Sequence, residues 1–153
     1  FGGAFIISYK KIPSMEANIR EGRLNDITHF GIRLAVGVVF LVHGLAKSTM
    51  PEFGGFLSSL GLPTEIAPLI ILAETVSGIM LIVGILNRIA SSILSIIMLG
   101  AIFHVKKAAA FTGTQGAYEF DLILLAANLS IITMGPGRIS IAHIAKKIPR
   151  FLH

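Results

Sequence analysis

Apolar residues along the chain are gathered into four long runs, and shorter polar segments separate one run from the next. The runs predict helices at about residues 28–47, 65–86, 88–106 and 117–134. Each is close to the ~20 residues that an α-helix needs to cross the ~30 Å hydrocarbon core of a bilayer. The pattern therefore predicts an all-α membrane protein, built as a bundle of four transmembrane helices.

Local signals indicate where these helices begin and end. Asp26 or Thr28 is a suitable cap for the first helix, and Pro68 suits the first turn of the second, where a missing N–H costs little. The fourth helix is expected to stop at Gly135-Pro136-Gly137. The apolar segment 51–63 is short and interrupted by Gly and Pro. We expect it to lie in the interface or in the mouth of the bundle, not to form a fifth span.

One domain is predicted, the bundle at 27–137, with an interfacial arm at 1–26 and a basic amphipathic tail at 138–153. The sequence has 13 Lys and Arg residues. Nine lie on the side that would hold both termini, three lie on the other side, and Arg33 falls within a span. Because cytoplasmic loops carry the excess of positive charge, both termini are predicted to be cytoplasmic in a multi-pass protein of the cell membrane.

Composition narrows the possible chemistry. The chain is 54% apolar and 14% charged and contains no Cys, which excludes disulfides, thiolate metal sites and iron–sulfur clusters. The net charge of +5 fits loops that face anionic lipid headgroups. The basic residues are scattered without a nucleic-acid-binding motif, so no nucleic acid partner is expected. The sequence motifs of soluble nucleotide-binding enzymes and hydrolases are also missing.

Ionisable residues occur within the predicted spans, where a charge is costly and needs a partner, water or a function. At ~1.5 Å of rise per residue, five of them fall in the outer half of the bundle and come from all four helices: His43, Glu74, His104, Glu119 and Asp121. Lys47 lies at the outer lip of the first helix, whereas Arg33 falls in the inner half. The sequence therefore predicts a polar pocket near the extracytoplasmic mouth.

Helical spacing predicts which faces meet inside the bundle. One stripe of the first helix contains Arg33, Gly37, Phe40, Gly44 and Lys47, and His43 lies about 80° to its side. The corresponding stripe of the second helix contains Glu74, Ser77, Gly78 and Leu81. On the fourth helix Asp121 shares a face with Asn128 and points nearly opposite to Glu119. We therefore expect at most one of these two carboxylates to face the bundle centre.

Two interpretations of the polar cluster stay open. In the functional one, Glu74 with His43 and Lys47 forms a proton or ligand site, and further candidate cofactor-binding residues are His104, Asp121, Glu119 and Arg33. In the structural one, Glu74 belongs to an ion pair that only fixes helix register, and Arg33 bonds carbonyl groups or lipid phosphate.

Residues at the outer edge also have a simpler interpretation. His104 and Lys106 would anchor a loop at the interface, and Lys106-Lys107 would be a solvated patch at the headgroups. Metal or haem binding is weakly indicated, because the sequence lacks Glu-x-x-His pairs and the H-E-x-x-H motif. Neither a metal nor haem is predicted.

The order and spacing of these residues resemble the DoxX-like family of small four-helix membrane proteins. The residues that carry the resemblance on the first two helices are Arg33-Leu34, Gly37, Phe40, His43-Gly44, Lys47, Glu74, Gly78, Leu81, Gly84 and Arg88. Those that follow are Gly116, Tyr118-Glu119, Gly135-Pro136-Gly137-Arg138 and Ser140. The family commonly has an Asp two residues after that Ser, where this chain has Ala142. The resemblance implies a membrane redox setting, because some members look like subunits of thiosulfate:quinone oxidoreductase or accompany terminal quinol oxidases.

The primary hypothesis is a small membrane subunit of a quinone-linked oxidoreductase assembly, in which Glu74, flanked by His43 and Lys47, binds a quinone headgroup or carries its proton. The alternative is a non-catalytic accessory subunit that packs against larger membrane subunits and stabilises their complex. A transporter is a third hypothesis, against which the lack of an internal repeat counts. The residues leave open whether the chain itself is catalytic.

Overall fold

The computed structural model describes residues 22–113 and 117–141. Its helices are α1 (Arg23–Ser48), α2 (Phe53–Ser59), α3 (Ala67–Val83), α4 (Asn87–Gly100) and α5 (Glu119–Met134). A 3₁₀ turn at Thr64–Ile66 precedes α3, and a π-helical turn at Ala101–Val105 continues α4. The described residues contain no strand, which confirms the all-α prediction. Most of the predicted arm and tail, at 1–21 and 142–153, lies outside the described residues.

Three helical stretches are long and apolar enough to cross a membrane: Arg23–Ser48, Thr64–Val83 and Asn87–Val105. They correspond to the first three predicted spans. The fourth predicted span is α5, which has 16 residues and is therefore about 24 Å long. That length is less than the ~30 Å of hydrocarbon in a typical bilayer, so the count of four spans stays a prediction.

The helix ends differ from the predicted ones for local reasons. The first helix begins at Arg23, ahead of both predicted caps, and the Thr28 hydroxyl donates to the Leu24 carbonyl within the helix instead of capping it. The predicted boundary at residue 27 therefore cuts through α1. The second span ends at Val83, not at residue 86, because Gly84 adopts a left-handed conformation with φ 78°.

The segment between the first two spans forms the short helix α2, which has only seven residues. Leu57 is its buried residue, 3% exposed, whereas Phe56 is 47% exposed. α2 lies beside the 3₁₀ turn and the start of α3. This placement agrees with a segment in the bundle mouth, and the end of the bundle that carries it is here named the α2 end.

α1 packs along α3, α4 packs along α5, and α3 also contacts α4. The α1–α3 crossing is close because Gly37 and Gly78 face each other: a Cβ on either would lie 2.8 Å from the other's carbonyl oxygen. Small residues allow membrane helices to approach in this way. The apolar core contains Phe40, Leu81, Leu94 and Ile131.

The faces predicted from helical spacing are confirmed for the first two spans. The buried residues of α1 include Arg33, Gly37, Phe40 and Gly44. The buried residues of α3 include Glu74, Ser77, Gly78 and Leu81. On α5 the buried face holds Asp121 and Asn128, whereas Glu119 is only half-buried.

Arg33 holds helix ends together at the end of the bundle opposite α2. Its guanidinium, 1% exposed, donates to the carbonyls of Leu81 at 2.7 Å, Ile139 at 2.6 Å and Pro136. Leu81 lies in the last turn of α3, and the other two residues follow α5. The side chain thus joins α1 to both, as the carbonyl-bonding interpretation expected.

Candidate functional site

A cavity of about 120 Å³ lies inside the bundle at the α2 end. All four long helices contribute to its wall. The residues that line it are Val39, Phe40, His43, Lys47, Glu74, Ile97, Met98, Ala101, Phe120, Asp121 and Leu124. Two carboxylates, one ammonium group and one imidazole therefore meet around a single small space, which is named here the ionic cavity.

An ion pair between Lys47 and Glu74 forms one side of the ionic cavity. Lys47 Nζ lies 2.5 Å from Glu74 Oε1. The two partners are buried unequally, since the Glu74 side chain is 1% exposed and that of Lys47 is 26% exposed. The second carboxylate oxygen, Glu74 Oε2, is buried and has no hydrogen-bond partner among the described residues. It is available to accept a hydrogen bond from a water molecule or a ligand.

Glycine makes this ion pair possible. Gly44 lies almost one turn before Lys47 on α1, and a Cβ there would collide with the hydroxyl and backbone nitrogen of Thr75, the residue next to Glu74. Because Gly44 has no Cβ, α1 and α3 approach closely at this level of the bundle. The ammonium group of Lys47 consequently reaches a carboxylate that is shielded from the surface.

A second ion pair joins the π turn region to α5. Lys106 Nζ lies 2.6 Å from Asp121 Oδ2 and donates to the carbonyl of Ala117 at 2.9 Å. The interpretation of Lys106-Lys107 as a solvated headgroup patch is therefore wrong for Lys106, whereas Lys107 is exposed. The backbone turns sharply immediately after Lys106, since Lys107 and Ala108 have φ of 52° and 48°.

His43 lies at the edge of the same cavity and is exposed. Its Nδ1 is 2.7 Å from the carbonyl oxygen of Val39, one turn earlier. The ring stacks on Phe120 of α5, with centroids 6.2 Å apart. Because Nδ1 is placed to donate to that carbonyl, Nε2 is left as the nitrogen that can accept a proton or a hydrogen bond.

Three other predicted site residues lie away from the ionic cavity. His104 Nε2 is 3.0 Å from the Leu60 carbonyl oxygen, at the connection after α2. Glu119 is in the first turn of α5 and does not line the cavity. Arg33 is at the opposite end, bonded to carbonyls. The proposed cofactor role of these three residues stays a prediction.

Two larger cavities flank the ion pair at the α2 end. One, of about 500 Å³, is lined by His43, Ala46, Lys47, Thr49, Met50, Pro51, Glu52, Phe53 and Phe56. The other, of about 420 Å³, is named the α2 chamber and is lined by Lys47, Phe53, Phe56, Leu57, Leu62, Ile70, Ile97, Gly100, Ala101, His104 and Val105. Lys47 borders all three cavities, and its Nζ also lies 5.4 Å from the centre of the Phe53 ring.

Size decides what the ionic cavity can hold. A site of ~150 Å³ accommodates benzene, and one water occupies ~30 Å³ of liquid volume. At about 120 Å³ the ionic cavity is therefore suited to a few water molecules and too small for a quinone ring. Among residues 22–113 and 117–141, no three His, Asp or Glu side chains come together as a metal site.

Sequence reasoning missed a set of buried polar residues on α4. Asn87, Ser91 and Ser95 recur every four residues along α4 and are at most 6% exposed. Asn128 on α5, which the sequence placed on the same face as Asp121, is also fully buried. The i, i+4 spacing was the signal that could have identified this face, but neutral polar residues are less conspicuous in a span than charges.

Known proteins provide a family context. The family model described as DoxX matches residues 29–107. A Bacillus subtilis (strain 168) relative, named "Putative oxidoreductase CatD", is 33% identical over 105 residues, covering 68% of this chain and 76% of the relative. "Uncharacterized membrane protein Rv3486" of Mycobacterium tuberculosis (strain ATCC 25618 / H37Rv) is 36% identical over 124 residues, covering 72% of this chain and 76% of the relative. No solved structure matches the chain significantly. The matched range includes Lys47 and Glu74.

Proposed function

The chain belongs to the DoxX family of membrane proteins, and from this premise we propose that it is a membrane subunit of a quinone-linked oxidoreductase assembly. The name of the Bacillus subtilis relative describes an oxidoreductase, which supports a redox role. In the proposed site, Lys47 donates a hydrogen bond to a quinone carbonyl at the α2 end, and Glu74 exchanges protons with the bound ring through Lys47 or a water molecule.

The observation that carries this proposal is the buried carboxylate of Glu74. One of its oxygens is paired with Lys47 and the other has no partner among the described residues. Reduction of a quinone to a quinol consumes two electrons and two protons. The electrons would come from a partner subunit. Because Glu74 is the carboxylate of the ion pair, the Lys47 ammonium would give each proton to the ring, and Glu74 would pass a replacement proton from the waters of the ionic cavity to Lys47. A positioned acid typically contributes about 10²–10⁴-fold to the rate of such a step.

The proposal includes a topology in which α5 is the fourth span and both termini are cytoplasmic. It is supported by the charge distribution and by the packing of α5 along α4. In that orientation the α2 end, with the ionic cavity, faces the extracytoplasmic side. A quinone would therefore exchange protons near the outer surface of the cell membrane.

The second candidate function is a non-catalytic accessory subunit. It is favoured by the fact that each ion pair joins neighbouring elements. Lys47 and Glu74 join α1 to α3, and Lys106 and Asp121 join the π turn region to α5. Much apolar side-chain surface on the helices is exposed, and larger membrane subunits would pack there as well as lipid. In this case the pairs would fix the shape of the bundle and have no part in a reaction.

One substitution distinguishes the two functions. Glu74→Gln keeps the size of the side chain but removes the carboxylate that would accept and pass on protons. Glu65→Gln is the matched control because Glu65 is exposed at the same end of the bundle. Reduction of decylubiquinone, driven by thiosulfate or by NADH in membranes that contain the native complex, is measured together with migration of the complex on a native gel.

If the quinone function is correct, Glu74→Gln lowers the rate at least about 100-fold, while the complex migrates as before and Glu65→Gln is unaffected. If the accessory function is correct, the rate falls only in proportion to the amount of intact complex. Full activity of a normally assembled Glu74→Gln complex would refute the quinone site.

A further inference from the structure

We propose that the α2 chamber binds the apolar chain of a membrane-dissolved quinone whose polar ring lies at Lys47. The inference rests on the proposed function and specifies its substrate class, a lipophilic quinone that carries a hydrocarbon chain. A water-soluble quinone without a chain would use only the part of the site next to Lys47.

The volume of the chamber fits such a chain. Ligand sites in proteins typically have volumes of ~300–1,000 Å³, and the chamber has about 420 Å³. The neighbouring ionic cavity is too small for a ring. The ring must therefore stay on the chamber side of Lys47 or in the cavity of about 500 Å³ that also borders it, and in either position the chain has the chamber within reach.

The lining of the chamber fits a chain better than a polar molecule. Nine of the eleven lining residues are apolar or Gly, and the exceptions are Lys47 and His104. The Lys47 ammonium is held by Glu74, and the His104 ring lies against the Leu60 carbonyl. Both polar groups thus have partners within the protein, which leaves the remaining wall as an apolar surface.

The chamber also lies where a ligand can enter from the bilayer. Phe56, Gly100 and His104 line it and are exposed on the side of the bundle. Gly100 and His104 belong to the candidate span Asn87–Val105, so in the proposed topology the opening meets the hydrocarbon as well as the aqueous surface. A quinone dissolved in lipid can therefore insert its chain laterally, without passing through water.

A single Trp can report occupancy of the chamber, because the sequence contains none. We would place it by Phe56→Trp in the full chain in nanodiscs and follow its quenching by two compounds. One is decylubiquinone, and the other is the same dimethoxy-methyl-benzoquinone ring without a chain. Concentrations are expressed per lipid, and a second reporter, Ile123→Trp, exposed on α5, measures quenching by quinone that is merely dissolved in the membrane.

Gly100→Phe is designed to fill the chamber. A Cβ at Gly100 meets nothing within 4 Å, so the added ring should not disturb the fold. Gly31→Phe is the matched control, because a Cβ at this exposed helical glycine of α1 also meets nothing within 4 Å. Ile70→Phe fills the chamber from α3, and it replaces Gly100→Phe in the experiment if that variant does not fold.

The proposal expects saturable quenching of the Phe56→Trp reporter and a loss of at least tenfold in decylubiquinone affinity in the chamber-filling variant. The affinity for the chainless ring should change by less than about twofold in the same variant. Gly31→Phe should change the affinity for neither compound. The placement of the chain would be overturned if Gly100→Phe and Gly31→Phe lowered the decylubiquinone affinity equally, or if Gly100→Phe lowered the affinity for both compounds equally. Either result would leave the quinone function in place. Absence of saturable quenching by both compounds would overturn the quinone function as well.

Discussion

Removing Lys47 alone from its ion pair with Glu74 should cost more stability than removing both partners. In the Lys47→Met variant the carboxylate of Glu74, 1% exposed, is left in the bundle with neither oxygen paired to a described residue. Breaking a buried pair in this way typically costs about 3–5 kcal/mol. We expect about 3 kcal/mol here, because Lys47 is partly exposed and its loss admits some water to the carboxylate.

The opposite substitution, Glu74→Met, should cost less because the two partners are buried unequally. The Lys47 side chain is 26% exposed, so its ammonium group can turn towards water once the carboxylate is gone, at a cost of about 1 kcal/mol. In the double variant two unbranched apolar side chains of similar size pack together, and its stability should lie within about 1 kcal/mol of the parent. The interaction energy of the cycle is then about −4 kcal/mol.

The free energy of unfolding is measured for the parent, the two single variants and the double variant. Each purified chain is unfolded reversibly in mixed micelles by titration with dodecyl sulfate, and unfolding is followed by far-ultraviolet circular dichroism. Lys107→Met is the control, since Lys107 is an exposed lysine at the same end of the bundle. The reasoning would be refuted if Glu74→Met were the more damaging single change, or if the two changes were additive. A stable double variant that has lost quinone reduction would show that the charges are retained for chemistry.

Three further predictions concern the rest of the bundle. Arg33→Met should lower the free energy of unfolding by about 3–5 kcal/mol in the same titration, because it leaves three carbonyls without their donor, whereas Arg138→Met at an exposed position should change it by less than about 0.5 kcal/mol. Gly78→Ala should destabilise by about 1–3 kcal/mol through overpacking at the α1–α3 crossing, whereas Gly31→Ala should be neutral or stabilise by up to about 1 kcal/mol through helix propensity. Since the chain has no Cys, a single introduced Cys reports the side of the membrane on which it lies. Thr49→Cys should be labelled by an impermeant maleimide in intact cells, and Arg138→Cys only after lysis. The reverse labelling pattern would contradict the proposed topology.

Helical spacing was enough to predict which residues of the first two spans face inward. The stripe that begins at Arg33 and the stripe of Glu74 are both buried, because 100° per residue holds throughout a regular helix and the sequence places its small and polar residues on one face of each. The Lys47–Glu74 pair is consistent with this, since the two residues lie on facing stripes of their helices. This part of the site depended on regular geometry alone.

The helix ends were predicted less well, because they depend on local conformation. Gly84 ends α3 three residues early by adopting a positive φ, and a Gly in an apolar run gives no sign of whether it will do so. At the start of α1, Asp26 and Thr28 were suitable caps by residue type, yet the helix extends past both to Arg23. Capping preference is a matter of a kcal/mol or so and does not by itself fix where a long helix begins.

The sequence did not predict the second ion pair, Lys106 with Asp121, because the position of Lys106 depends on irregular backbone. The π turn at Ala101–Val105 holds more residues per turn than an α-helix, so positions after it no longer follow the spacing that assigned the other faces. The left-handed residues Lys107 and Ala108 then reverse the chain. Lys106, which directly follows the π turn, pairs with Asp121, where regular geometry had it facing headgroups. Ala101, the first residue of the same π turn, lines both the ionic cavity and the α2 chamber. The irregular backbone that the sequence did not predict therefore lies between the charged and the apolar parts of the candidate site.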